Sequence, residues 1–151
     1  MEIGPDIHGY GAQIAQTYFV DRPPQAAIDA FEVSKAAFNR ALEVMRPGRI
    51  WGEVEETVKE VARGTGLFVD FLAHGRGLGN DGPLLIPTDT HSRTKEDRLQ
   101  ANTVFVVKPG AFPTEYDAAR SHDVRFGDSV LVGEDATERL GTRPQVLLSG
   151  D

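Results

Sequence analysis

The chain has 151 residues, no cysteine, and 23 acidic against 16 basic residues, for a formal charge of −7. This length fits a single domain spanning residues 1–151 with room for a substantial core, and a second domain is not expected. The acidic balance and the lack of clustered Lys and Arg exclude a nucleic-acid-binding surface, and the absence of cysteine excludes disulfides and thiolate metal sites. No apolar run approaches the roughly 20 residues a membrane helix needs, and Met1 leads into Glu2-Ile3-Gly4 rather than a basic and then apolar signal. The expectation is a soluble, cytoplasmic chain with no membrane partner.

From Met1 to Val20, Ile7, Ile14 and Thr17-Tyr18-Phe19-Val20 favour strands, and Gly4-Pro5-Asp6 and Gly9-Tyr10-Gly11 read as turns, so a β-hairpin is predicted. Asp21-Arg22-Pro23-Pro24 breaks the strand and starts a helix, because proline is tolerated only in a helix's first turn. Ile28, Phe31, Ala37, Phe38, Leu42 and Met45 then recur at steps near three and four, which places them on one helix face until Arg46-Pro47-Gly48 stops it. Trp51, Val54, Val58 and Val61 mark a second, shorter amphipathic helix ended by Gly64 and Gly66. Both stripes are core-packing faces. Leu67 to Leu72 reads as a buried strand or an extended approach to the stretch that follows. Pro87 to Arg98 is polar and aperiodic, which predicts an exposed loop. Thr103-Val104-Phe105-Val106-Val107 and Asp128-Ser129-Val130-Leu131-Val132 predict an antiparallel pair of strands, with Arg125 leading into the second. The tail from Gly141 reads as a surface segment.

Between these strands stands Ala73-His74-Gly75-Arg76-Gly77-Leu78-Gly79-Asn80-Asp81-Gly82-Pro83, where a histidine leaves an apolar run and glycines follow at once. Residues without Cβ let the backbone approach a ligand closely. A structural glycine turn with a satisfied histidine is the other reading of this stretch, and the residues alone leave both open.

Taken together, the pieces resemble the pita-bread metallopeptidase family of aminopeptidase P, prolidase, methionine aminopeptidase and creatinase. Ile3-Gly4 and Gly9-Tyr10 followed by Thr17-Tyr18-Phe19-Val20 resemble the family's "DxG … GYxxDxxRTF" hairpin, and Arg46-Pro47-Gly48 resembles its "RPG". His74-Gly75-Arg76-Gly77 is similar to "HGxG", Val104 to Gly110 to the strand ending in "EPG", and Arg125 to Val132 to "RxEDxxLV". The resemblance implies an α+β fold, the pita-bread antiparallel sheet with helices on its outer face. It also implies that this chain is the C-terminal portion of such a catalytic domain and therefore incomplete. About a hundred residues of the usual domain would precede Met1, by comparison with typical domain sizes. An exposed sheet edge would follow, to be covered by a second copy of the chain or by a partner chain supplying the missing half.

Family members hold two divalent cations with two Asp, one His and two Glu, and the cations activate a water and stabilise an oxyanion. Carried over one at a time, these ligands fall on Glu2, Gln13, His74, Lys108 and Gly127. The family's second histidine best matches Asn80, with Asp81 and Pro83 following one residue closer than usual. Four carboxylates would offset two divalent cations, whereas these five positions sum to about zero with Glu2 ionised and Lys108 protonated. Lys108 is therefore expected to stand where the cations would be, paired with Glu2, and no metal or other cofactor is expected. A lysine that merely snorkels from a strand end is the competing reading. Asp128 does not restore the site, because adjacent strand residues point to opposite faces.

The resemblance then implies a peptidase-like domain without its dimetal site, acting as a metal-independent hydrolase of a small C–N substrate with His74 as general base. Arg76, Lys108, Arg125 and Asn80 are the candidate substrate-binding residues. One alternative is a catalytically inactive domain that binds peptide or protein. A second is a metallo-aminopeptidase with altered ligands.

Overall fold

The nine residues Val124–Val132 form the strand on which the rest of the sheet is built, with Phe126, Val130 and Val132 fully buried. The computed structural model describes residues 1–79, 83–85, 93–113 and 123–150. In chain order the strands are β1 (Glu2–Ile3), β2 (Asp6–Ile7), β3 (Tyr10–Gly11), β4 (Ile14–Gln16) and β5 (Tyr18–Phe19). After helices α1 (Gln25–Val44) and α2 (Trp51–Lys59) come β6 (Phe68–Asp70), β7 (Ala73–Gly75) and β8 (Leu84–Leu85). These are followed by β9 (Thr103–Val107), β10 (Gly110–Phe112), β11 (Val124–Val132), β12 (Thr137–Arg139) and β13 (Leu148–Ser149).

The main sheet runs β1-β4-β11-β9-β7-β8, with β10 joining β11 to β6 and β12 also on β11. Its pairings are antiparallel. Strands β9 and β10 lie end to end along one edge of β11, separated by Lys108-Pro109. Proline has no N–H to give to a ladder, so the pairing is interrupted there and resumes in the same register, Val107 opposite Asp128 and Gly110 opposite Arg125. The N-terminal segment is more than a single hairpin: β1 closes on β4, and the small β2–β3 hairpin stands between them.

Both helices pack on one face of this sheet, as their stripes predict. In α1 the buried Phe31 and Phe38 meet Phe126 edge-on, with ring centroids 6.3 and 5.1 Å apart. In α2 the buried Trp51 sits edge-on to Phe105 at 4.9 Å and tilted against Phe71 at 6.4 Å. Aromatic pairs of this kind add about 0.5–1.5 kcal/mol beyond the area they bury. The opposite face of the sheet is left for polar side chains.

His74 lies inside the short strand β7, hydrogen-bonded on both sides, where the strand opens into the glycine-rich segment. One expectation needs correction. Of the expected loop from Pro87 to Arg98, residues 87–92 lie outside the described residues. Arg93–Glu96 is a short 3-10 helix, and Lys95 pairs with the buried Glu55 of α2 at 3.0 Å. A charge on the helix thus fixes a segment whose own sequence has no period. The tail is the surface segment expected, with no buried residue from Gly141 to Gly150, and it is tied down. Arg143 lies over the Phe126 ring at 4.1 Å and donates to the carbonyls of Ala15 and Gly127 and to Gln16. Gln145 and Asn39 exchange hydrogen bonds of 3.1 and 2.9 Å, and β13 runs parallel to β5.

Candidate functional site

Side chains directly opposite each other in an antiparallel pair share a face, as do residues two apart along one strand. The register aligns Glu2 with Ala15 and Ala15 with Gly127 in one row across the sheet. The next row aligns Ser129, Val106, His74 and Leu84. Gly127 and Ser129 are two apart on β11, and Gln13 stands two before Ala15. Pairing alone therefore gathers Glu2, Gln13, His74 and Gly127 on the face turned away from the helices. Lys108, in the break between β9 and β10, stands opposite Gly127 and joins them.

At the centre is an ion pair. Lys108 Nζ donates to Glu2 Oε1 at 2.6 Å, and Gln13 Nε2 donates to Glu2 Oε2 at 2.8 Å. The Lys108 side chain is 6% exposed and that of Glu2 48%. Burial raises the Glu2 pKa, but the hydrogen bond and charge of Lys108 outweigh it and hold the carboxyl below its ordinary range. Gln13 is fixed in turn by Ser129, whose Oγ accepts from the Gln13 N–H at 3.0 Å and donates to its carbonyl at 3.1 Å.

His74 is 9% exposed. Its Nδ1 lies 3.0 Å from the Gly75 carbonyl oxygen, which only accepts, so Nδ1 carries the proton and Nε2 keeps its lone pair. Burial is the main cause that holds its pKa below the usual histidine value, and the charges of Lys108 and Arg76 act in the same direction. The Gly75 carbonyl and Glu2 oppose them. A neutral imidazole beside an ammonium is the outcome.

A divalent metal pair does not fit these residues. The ammonium of Lys108 occupies the side of Glu2 that a cation would need, and like charges repel. The position of the last ligand is also closed. A Cβ on Gly127 would stand 2.8 Å from Lys108 Cα and 2.8 Å from the Val107 carbonyl oxygen, so no carboxylate side chain can be accommodated there without moving backbone. Among the described residues, no group of three or more His, Cys, Asp or Glu could hold a metal ion.

The other candidates separate. Arg76 reaches across the β2–β3 segment, where a Cβ on Gly11 would stand 2.8 Å from its Nε. Arg125 is engaged elsewhere: it donates to both oxygens of the buried Asp70 at 2.9 and 2.5 Å, to Asp123, and to the Lys108 carbonyl at 2.7 Å. Burial opposes its charge, yet the hydrogen bonds it donates to Asp70 keep its pKa above the ordinary arginine value. It holds the backbone of Lys108 in place. Asn80 lies outside the described residues. Sequence reasoning missed Ser129 and Asp70. No motif marks them, since one is read as an ordinary strand residue and the other as the polar position of an apolar run.

This arrangement accompanies a family match over nearly the whole chain: the family model described as "Metallopeptidase family M24" matches residues 1–134. The chain belongs to metallopeptidase family M24. Xaa-Pro dipeptidase from Pyrococcus furiosus is 26% identical over 152 residues, covering 98% of this chain and 40% of that protein. The M24 chain is also 32% identical over 110 residues to agropine synthesis cyclase from Rhizobium rhizogenes, covering 72% of this chain and 26% of that one. Among solved structures, X-Pro aminopeptidase from Thermotoga maritima superposes with a TM-score of 0.79 at 24% identity, over 98% of this chain and 40% of that one. The fold is thus the pita-bread fold in part, and this chain spans about 40% of the length of both the dipeptidase and the aminopeptidase.

Two pH steps in stability follow from the directions given above. The unfolded His74 protonates near pH 6.5 while the folded one resists, so stability is expected to fall as pH drops below about 6.5 and to level off below the folded value. Glu2 acts lower down. Its lowered pKa gives a contribution present above the ordinary carboxylate range and lost as pH falls through the folded value. Urea unfolding of wild type and His74→Gln between pH 5 and 7 checks the first step, which the variant should lack.

Proposed function

We propose that this M24 domain is a metal-independent hydrolase of a small C–N substrate, with His74 as general base and Lys108 in the place of the cations. The observation that supports this most is the Lys108–Glu2 pair at 2.6 Å beside a buried neutral imidazole. In this reading His74 Nε2 takes a proton from a water whose oxygen attacks the carbon of the C–N bond. The protonated imidazole then gives that proton to the departing nitrogen. An ammonium has three N–H donors, and only one is spent on Glu2, so the others can face the oxygen on which negative charge develops. The similarity to a relative named for a cyclisation supports extending the family's chemistry beyond peptides to small molecules.

The test is a panel of small amides, ureas and guanidino compounds, and an Xaa-Pro dipeptide, assayed in EDTA and with added manganese. Turnover unchanged by EDTA, in protein free of metal by elemental analysis, is the expected result. Activity that appears only with manganese would establish the metallo-aminopeptidase alternative. Binding of peptide with no turnover under either condition would establish the non-catalytic domain.

A further inference from the structure

The carboxylate of Glu2 is held at both oxygens by donors from two separate elements. Lys108 Nζ comes from the residue after β9 and Gln13 Nε2 from the residue before β4. Two converging donors set for the two oxygens of a single carboxylate form a built site, and the chain's own side chain fills it. From this geometry we infer that the cradle of Lys108 and Gln13 is a carboxylate-binding subsite, and that Glu2 is an exchangeable stand-in for the carboxylate of a ligand. It rests on reading Lys108 as the cation of the functional site, and it narrows the substrate to a small C–N compound bearing a carboxylate.

The two partners of the ion pair are unequal, and this gives the exchange its direction. The Lys108 side chain is 6% exposed and cannot lose its counter-charge without leaving a buried ammonium unpaired. Glu2, 48% exposed, stands on a two-residue strand whose residues are both exposed and which pairs only with β4 among the described residues. Turning into water costs this carboxylate little. An incoming carboxylate therefore restores to Lys108 and Gln13 all that Glu2 withdraws. The cradle itself stays in place, since Ser129 fixes the Gln13 backbone and Arg125 holds the Lys108 carbonyl.

Acetate is the probe, titrated by thermal shift against sodium chloride of equal ionic strength at pH 7, without any turnover assay. If Glu2 fills the cradle about nine-tenths of the time, its removal tightens apparent acetate affinity about tenfold. Glu2→Ala should show this gain, Glu2→Gln a smaller one because its amide oxygen still accepts from Lys108, and Glu2→Ala/Lys108→Met none. Equal acetate response in wild type and Glu2→Ala would overturn the inference, as would a response that survives in the double variant. Should Glu2→Ala not fold, the comparison of Glu2→Gln with wild type decides in the same way. A chain that hydrolyses nothing yet shows this pattern loses the hydrolase reading and keeps the cradle, while an active chain lacking the pattern loses only the cradle.

Discussion

Replacing His74 by alanine is expected to lower turnover of the substrate found in the panel by about 10²- to 10⁴-fold, the range for removing a positioned general base. The histidine is suited to that loss. Its Nδ1 proton is spent on the Gly75 carbonyl, leaving Nε2 as the basic atom, and burial with two nearby cations keeps the ring neutral. His74→Gln should lose as much, since an amide can hydrogen-bond but cannot take a proton, whereas a merely structural histidine would be partly replaced by it. In wild type the acid limb of kcat/KM against pH should lie below about 6.5, because the folded pKa is shifted down. Circular dichroism of both variants separates loss of fold from loss of chemistry. Full turnover by either variant would remove His74 from the reaction.

Asp70→Ala is expected to destabilise the chain by about 3–5 kcal/mol, the cost of leaving a buried charge without its partner. Asp70 is 5% exposed and accepts three hydrogen bonds, one from the Gly110 N–H at 2.7 Å and two from Arg125. Its removal orphans the Gly110 N–H and leaves the mostly buried guanidinium with Asp123 and the Lys108 carbonyl alone among its described hydrogen-bond partners. The effect should also reach the site, because Arg125 Nη1 is shared between Asp70 and the Lys108 carbonyl. Urea unfolding of Asp70→Ala, Arg125→Met and the double variant forms the check. The double variant should lose less than the sum of the single ones, since removing both charges leaves neither unpaired. Additive losses would show that the pair is not coupled.

Much of the fold was legible in the sequence, and for identifiable reasons. The stripes of Phe31 and Phe38, and of Trp51, Val54 and Val58, carry the helical period, and those residues are the buried ones. The β-branched runs at Thr103–Val107 and Asp128–Val132 are strands in the antiparallel register expected of them. The segment Arg93–Glu96 was not legible, because Glu55 of a different helix holds it through Lys95 and nothing local announces that. The same applies to the anchoring of the tail, which Arg143 supplies by stacking on Phe126.

For the site, the sequence by itself determined which residue types stand at Glu2, Gln13, His74, Lys108 and Gly127, and hence that their formal charges sum to about zero. Residue identity and order suffice for that, since formal charge needs no coordinates. Only the tertiary structure decided that Lys108 reaches Glu2, that Ser129 and Asp70 hold the partners in place, and that Arg125 is a tether. Those are contacts between residues 17 to 116 apart in the chain, set by the register of β11 with its neighbours. A side chain's direction in a sheet depends on which strand it meets, and no local pattern encodes that.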